Sequence, residues 1–397
     1  MSDRAAVLVV PVAPAPDGNG LAMRAGMLLE TMAAAGAVDV VIVPVSGGSQ
    51  RAHEWLAARA RHVIVVEPES PRTRGDVLAL LGDPARRATL DARSGWPARA
   101  RAAAPELASR ATAALDARAM TPSVVVVFRS YLAPFGVTLA RELGADRIVV
   151  DVDDDDERLL RAQGDAEEAD AYARLADSWL TEVDLVVAAS PHDAADLADR
   201  HGLTVATIPN AVRRPASVTG PPGHARVLYV GNLTYRPNVD AARDLIERVL
   251  PALRTEIADA TVDLVGPHDD RISDLAACDG VRMTGRVPDV APYYAGADVV
   301  VVPLREGAGT RIKVLEAFAF ERPVVATRAA VAGLDVRDGE SVALADDAKA
   351  LAAQAARLLR APDEARRLVA GASAVLSAHY LLDVVAPSAR RLIFGAA

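Results

Sequence analysis

Short runs of Val, Ile and Leu recur along the chain, each followed by a loop with Gly or Pro and then an Ala-, Leu- and Arg-rich stretch with helical spacing. In the first half these runs fall at residues 6–12, 38–45, 62–67, 123–128, 147–152, 184–189 and 204–208. The run SVVVVF at 123–128 shows no polar alternation, the pattern of a strand covered on both faces within a parallel sheet. Stretches 23–35 and 165–182 suit right-handed crossover helices. At 213–224 the pattern lapses into RRPASVTGPPGH, the clearest linker in the chain. It then restarts with runs at 226–231, 261–266, 281–287, 297–303, 322–327 and 341–345.

The expected fold class is therefore α/β, with two Rossmann-like doubly wound domains in tandem. The first spans 1–213, a linker spans 214–224 and the second spans 225–375, while a helical segment at 376–397 crosses back to the first. Parallel strands place all their carboxyl ends on one edge, where ligands bind, so the two domains are expected to face each other across a cleft. Residues 72–118, rich in Ala and Arg with several Pro, read as helices that cap the first sheet or shape its ligand side.

Composition narrows the class. The chain has 397 residues, half of them hydrophobic, which is enough for a full core in each domain. A formal charge of −9 offers no basic surface to nucleic acid. The single cysteine, Cys278, excludes an intrachain disulfide and a cysteine-built zinc site, and fits a reducing compartment. The first apolar stretch is broken by Pro11, Pro14 and Pro16, and no run approaches the ~18 apolar residues of a membrane span. A cytoplasmic location is expected, with peripheral membrane contact left open. Only Lys313 and Lys349 interrupt an otherwise all-arginine set of basic residues.

The most informative stretch is ADVVVVPLREGAGTRIKVLEAFAFERPVVAT at 297–327, which parses as strand, glycine loop, helix from about 311 to 320, and strand. Gly307 and Gly309 allow close backbone approach to a ligand, and Thr310 is the expected helix N-cap. Arg311 and Lys313 add cations where the helix dipole is already positive, which makes sense if a multiply charged anion such as a diphosphate binds there. Glu316 lies three residues beyond Lys313 on the same face and suits a pair of ribose hydroxyls. Two further loops end strands on this edge. VGNLTYRPNVD at 230–240 brings Gly231 and Arg236 near the phosphates, and VRMTGRVPD at 281–289 brings Gly285, Arg286 and Val287 near a nucleobase.

From about Val227 onward the order VGN…PN.D, TGRVPDV.PYYAGADVVVVPL, GAGTRIKVLEA, PVVAT resembles the donor domain of retaining GT-B glycosyltransferases of family 4, the group 1 glycosyl transferases. The resemblance implies transfer of a sugar from a nucleotide diphosphate sugar to an acceptor hydroxyl, with retention, without metal and with no cofactor beyond the co-substrate. Glu316 matches the second glutamate of the family's Glu-x7-Glu pair, while the first falls on Ala308, with Glu306 two residues too early. The family's Gly-Arg after the first strand reads Gly231-Asn232 here, and Arg236, Arg311 and Lys313 are the cations placed to compensate.

The first domain echoes the family more weakly, in PAPDGNGLAMRAGMLLE near the start and LVVAASPHDAADL…TIPNAV before the linker. Gly18, Asn19 and Gly20, with Arg24 on the helix that follows, match the family's loop beside the reacting phosphate and acceptor. Arg129 after SVVVVF, and Asp153 and Asp154 after RIVV, also fall at strand ends, the aspartates near the family's histidine motif. One of these carboxylates is placed to bind or deprotonate an acceptor hydroxyl. The run DVDDDDE fits neither a metal-binding Asp-x-Asp, which belongs to another architecture, nor an aspartyl-phosphatase signature, and capping of a helix N-terminus is its plainer reading. Two rivals stay open: a sugar-nucleotide epimerase or hydrolase on the same scaffold, and a catalytically idle sugar-nucleotide-binding subunit.

Overall fold

The computed structural model describes residues 5–45, 53–67, 95–116, 121–306 and 311–395. Every predicted strand forms, mostly one or two residues shorter at each end. The first sheet holds β1 (Ala6–Val10), β2 (Val38–Ile42), β3 (His62–Val65), β4 (Val124–Phe128), β5 (Ile148–Asp153), β6 (Leu185–Ala188) and β7 (Val205–Thr207). Its order is β3-β2-β1-β4-β5-β6-β7, with every pair parallel. The second holds β8 (Arg226–Val230), β9 (Thr261–Val265), β10 (Val281–Met283), β11 (Val299–Val302), β12 (Val324–Ala326) and β13 (Ala343–Leu344), in the order β10-β9-β8-β11-β12-β13, again all parallel. The central strands β1, β4 and β11 are buried along their whole length, as their unbroken apolar runs require.

Both sheets reverse their winding once, between β1 and β4 and between β8 and β11. Successive loops leave a parallel sheet in opposite directions at such a point, which opens a crevice at the carboxyl ends of those strands. The loops after β1, β4, β8 and β11 therefore frame the places where a ligand binds.

Local signals set many helix ends. Asp155, Ser190 and Asp347 each accept a hydrogen bond from a first-turn backbone amide of the helix they precede. A π-helical turn, Leu245–Val249, comes just before Pro251, whose ring has no N–H to give to the carbonyl one turn back. Of the 72–118 region, the described part contains the helices Ala98–Ala102 and Ala108–Asp116, and the rest lies outside the described residues.

Contacts divide the chain into two compact units. One comprises 1–16, 21–208 and 386–397, and the other 17–20 and 209–385. The last helix, Leu382–Phe394, contains Pro387 and ends in the first unit, where Arg147 Nε donates to the carbonyl of Ile393 at 3.0 Å.

The helix Ile312–Ala319 closes with a Schellman pair: Arg322 N–H bonds Ala317 O at 2.8 Å and Glu321 N–H bonds Phe318 O at 3.0 Å. Glu321 holds the left-handed position with φ +55°, where glycine is the usual occupant. Replacing Glu321 with Gly is expected to stabilise the protein by about 1 kcal/mol, measured by urea unfolding. An unchanged or lower midpoint would show that the side chain contributes more than its backbone strain costs.

Candidate functional site

In the second unit, the helix after β11 points its first turn at the loop after β8. Lys313 Nζ donates to Asn238 Oδ1 at 2.6 Å and to the Tyr229 hydroxyl at 3.2 Å, and lies 4.8 Å from the centre of the Tyr229 ring. The Tyr229 hydroxyl in turn donates to Asn238 Oδ1 at 2.9 Å. Asn238 Nδ2 is tied to the carbonyl of Asn232 at 2.8 Å, and Asn232 folds an Asx turn by accepting from the amide and hydroxyl of Thr234. The residue standing in the family's arginine position thus shapes the loop that anchors the lysine. A Cβ on Gly231 would sit only 3.3 Å from Lys313 Nζ, so the glycine lets the ammonium lie against bare backbone.

The ammonium is held by neutral groups, with the Arg311 charge nearby. Burial first, and Arg311 second, pull the Lys313 pKa down to about 7. Glu316, one turn on, is pushed up to about 7, chiefly by burial. Its Oε2 takes a long hydrogen bond of 3.4 Å from the Tyr294 hydroxyl, and Tyr294 stacks flat on Phe320 with ring centres 4.7 Å apart. Both residues are half-buried overall, with their charged ends walled by protein. Two titratable groups whose charged forms are both disfavoured thus lie one helical turn apart at the switch point of the sheet.

The remaining predicted donor residues divide. Gly285, with φ +69°, carries a carbonyl that accepts from Gly266 N–H at 3.2 Å, and a Cβ on Gly266 would lie 1.8 Å from the Gly231 carbonyl oxygen. The ends of β8, β9 and β10 are therefore stacked through three glycines. Arg286 is exposed and Val287 half-buried on the loop that follows. Arg236 sits exposed at the start of its helix, 3.8 Å from Asp240. Arg311 is buried and turns its guanidinium to the carbonyl of Ala329, at 3.3 and 3.2 Å. Arg311 also holds the cap position expected of Thr310. Gly307, Gly309 and Thr310 lie outside the described residues.

In the first unit, Arg24 and Arg129 meet the carboxylates at the end of β5. Arg24, on the helix Gly20–Ala33, pairs with Asp151 at 2.8 Å and with the Ile208 carbonyl at 2.7 Å, and comes within 3.9 Å of Asp153. Arg129 binds Asp154 at 2.9 Å, Asp156 at 2.7 Å and Asp153 at 3.5 Å. Arg129 and Asp153 both have positive φ, +82° and +56°, and β5 slips register against β6 between Asp151 and Asp153. Such strain at two adjacent strand ends, for residues with full side chains, is a mark of a functional edge. Burial, then the charge of Asp154, lifts the Asp153 pKa to about 7. Gly18 is exposed with φ +102°, Asn19 is exposed, and Gly20 opens the helix. On that helix a Cβ at Gly26 would lie 2.2 Å from the Ala15 carbonyl oxygen, so glycine there lets the loop after β1 pack directly on it.

Residues 224–361 match the family model described as Glycosyl transferases group 1. The match falls within the second unit. The whole chain has the GT-B fold and is similar to sucrose-phosphate synthase from Thermosynechococcus elongatus, with 21% identity and a TM-score of 0.70 over 98% of both chains. It is similar to Anabaena HepE solved with UDP and glucose, at 15% identity and a TM-score of 0.67, covering 97% of this chain and 98% of that one. A glycosyltransferase from Rickettsia africae aligns over 100% of both chains at 13% identity and a TM-score of 0.66. No curated protein matches the chain in sequence.

Within the second unit, sequence reasoning singled out Lys313 and Glu316 but missed Tyr229, Asn238 and Tyr294, which hold them. Asn238 stands inside the quoted PN.D stretch, so its signal was present, whereas the two tyrosines look like core. The pKa of Glu316 gives a stability test. A carboxyl raised above its ordinary 4.5 leaves the folded state unpenalised below that pH and penalised as pH rises through about 7. Glu316→Gln is therefore expected to match the parent near pH 4 and to be more stable, by about 2–3 kcal/mol, above pH 7. Denaturation at the two pH values measures this, and a pH-independent difference would refute the burial of the charge.

Proposed function

We propose that this glycosyltransferase transfers a sugar from a nucleotide diphosphate sugar to an acceptor hydroxyl, with retention and without a metal cofactor. The observation that carries the reading is Lys313: an ammonium on neutral partners, against Gly231, at the mouth of a helix and at a switch point. A diphosphate would supply the negative charge that this arrangement lacks and would raise the lysine pKa on binding. Glu316, one turn along, would accept from the ribose hydroxyls, and the loop at Gly285, Arg286 and Val287 would read the base. The structural neighbour HepE was solved with UDP and glucose, so UDP-sugars are the first donors to test.

In the transfer, the bond from the anomeric carbon to the diphosphate breaks as a bond to the acceptor oxygen forms, and the acceptor proton passes to the protein or the leaving group. Lys313, Arg311 and the first-turn amides would stabilise the charge that develops on the diphosphate, a role needing no metal. Asp153, held by Arg129 and Arg24, would accept the acceptor hydroxyl's hydrogen bond or proton. The Gly18–Asn19–Gly20 turn would lie by the reacting phosphate.

Lys313→Ala is expected to lower kcat/KM for the donor by roughly 100-fold or more without unfolding the protein. Steady-state kinetics with UDP-glucose and related donors would measure this, and near-normal rates would remove Lys313 from the site. Asp153→Asn should slow transfer while sparing donor hydrolysis in the absence of acceptor. Equal losses in both would place Asp153 on the donor instead. Binding without any turnover would favour an idle sugar-nucleotide binder, a reading that Ala308 and Asn232 keep open.

A further inference from the structure

A second cavity, of about 320 Å³, lies in the second unit away from Lys313 and Glu316. Its lining includes Val218, Pro292, Ala295, Phe320 and Arg322, with Asp289 also on the wall. Apart from Asp289, on the loop after β10, the lining segments lead into strands: 215–219 toward β8, the helix Ala291–Ala295 toward β11, and 320–322 into β12. The cavity therefore sits at the amino-terminal edge of the sheet, opposite the carboxyl edge that carries the donor residues. The helix Ile312–Ala319 spans the two edges, with Lys313 in its first turn and Arg322 just past its end.

Arg322 is only 1% exposed. One terminal nitrogen, Nη2, donates to the carbonyl of Thr219, while Nε and Nη1 are buried without a hydrogen-bond partner among the described residues. Asp298, the nearest buried carboxylate to favour its charge, is already taken by the amides of Gly223, His224 and Arg226 at 2.6, 2.9 and 3.0 Å. A buried guanidinium with two unmet donors is costly unless an acceptor reaches it, and a carboxylate matches its geometry best. The Schellman turn, with Glu321 held at φ +55°, fixes where this guanidinium emerges from the helix end. Segment 215–219, which carries the Thr219 carbonyl, has no helix or strand to break in giving way.

We propose that this cavity binds a small monocarboxylate with a compact apolar body, its carboxylate on Arg322 and its body against Phe320, Val218 and Pro292. The apolar walls disfavour a bare ion, and Asp289 disfavours a polyanion such as a diphosphate. No side chain of this lining hydrogen-bonds Lys313 or Glu316, so the proposal does not rest on the donor reading.

Calorimetric titration of the full chain tests it, with sodium benzoate as the probe and benzyl alcohol and inorganic phosphate as controls. Benzoate is expected to bind one site at roughly millimolar affinity or tighter, and each control roughly tenfold more weakly or not at all. Arg322→Met should lose benzoate binding by roughly tenfold or more while keeping an apolar stem of similar length. Ala295→Leu, which fills the cavity and leaves Arg322 in place, should lose it too and guards against misfolding of the first variant. Lys313→Ala should bind benzoate as the parent does. The proposal is overturned if the parent does not bind benzoate, if phosphate or benzyl alcohol binds as well, if both cavity variants bind normally, or if Lys313→Ala loses binding.

Discussion

Keeping an ammonium group inside a protein on neutral partners costs free energy, and Lys313 is kept that way. Its anchors, Asn238 and Tyr229, are themselves fixed by the Asn232 turn and by β8, so the lysine cannot relax into solvent without breaking that network. Of the glycines at the ends of β8, β9 and β10, Gly231 leaves room for the ammonium, which a Cβ there would meet at 3.3 Å, and Gly266 lets its strand end pack on the Gly231 carbonyl. The loop after β8 and the first turn of the helix Ile312–Ala319 are thereby locked together around this one charge.

The first unit stores its cost differently. Arg129 and Asp153 adopt left-handed backbone at the ends of adjacent strands, and the ion pairs of Arg24 and Arg129 keep them there. Buried pairs contribute little net stability, but they are expensive to break singly, so they hold a strained geometry well. Burial, and then the charge of Asp154 beside it, opposes ionisation of Asp153, while Arg24 and Arg129 lie closer to other carboxylates.

The parts of this molecule legible from sequence were those where one residue type settles the matter. Runs such as VVVVF can only be buried strands, and the thirteen strands came out in order from that signal alone. Lys313 and Glu316 were legible because charges at helical spacing after a glycine loop are unusual at a helix start. Arg236 looked equivalent on the chain, yet it heads its helix on the exposed side and pairs with Asp240. Spacing along a loop does not fix which way a side chain leaves it. Arg311 was placed correctly at the helix mouth, but its contact with the Ala329 carbonyl depends on the end of β12, far along the sequence.

What sequence could not reveal is the role of residues that read as core. Tyr294 resembles any buried aromatic in PYYAGAD, yet its hydroxyl meets Glu316 while its ring lies on Phe320. That stack joins the two edges of the second sheet. Phe320 walls the cavity beside Arg322, and Tyr294 belongs to the short helix whose Ala291, Pro292 and Ala295 line the same cavity. Flat stacked rings transmit a displacement of one as a displacement of the other, because neither can move sideways without losing contact area. Phe320, on which the hydrogen-bond partner of Glu316 is stacked, is thereby part of the wall that an apolar carboxylate would press against.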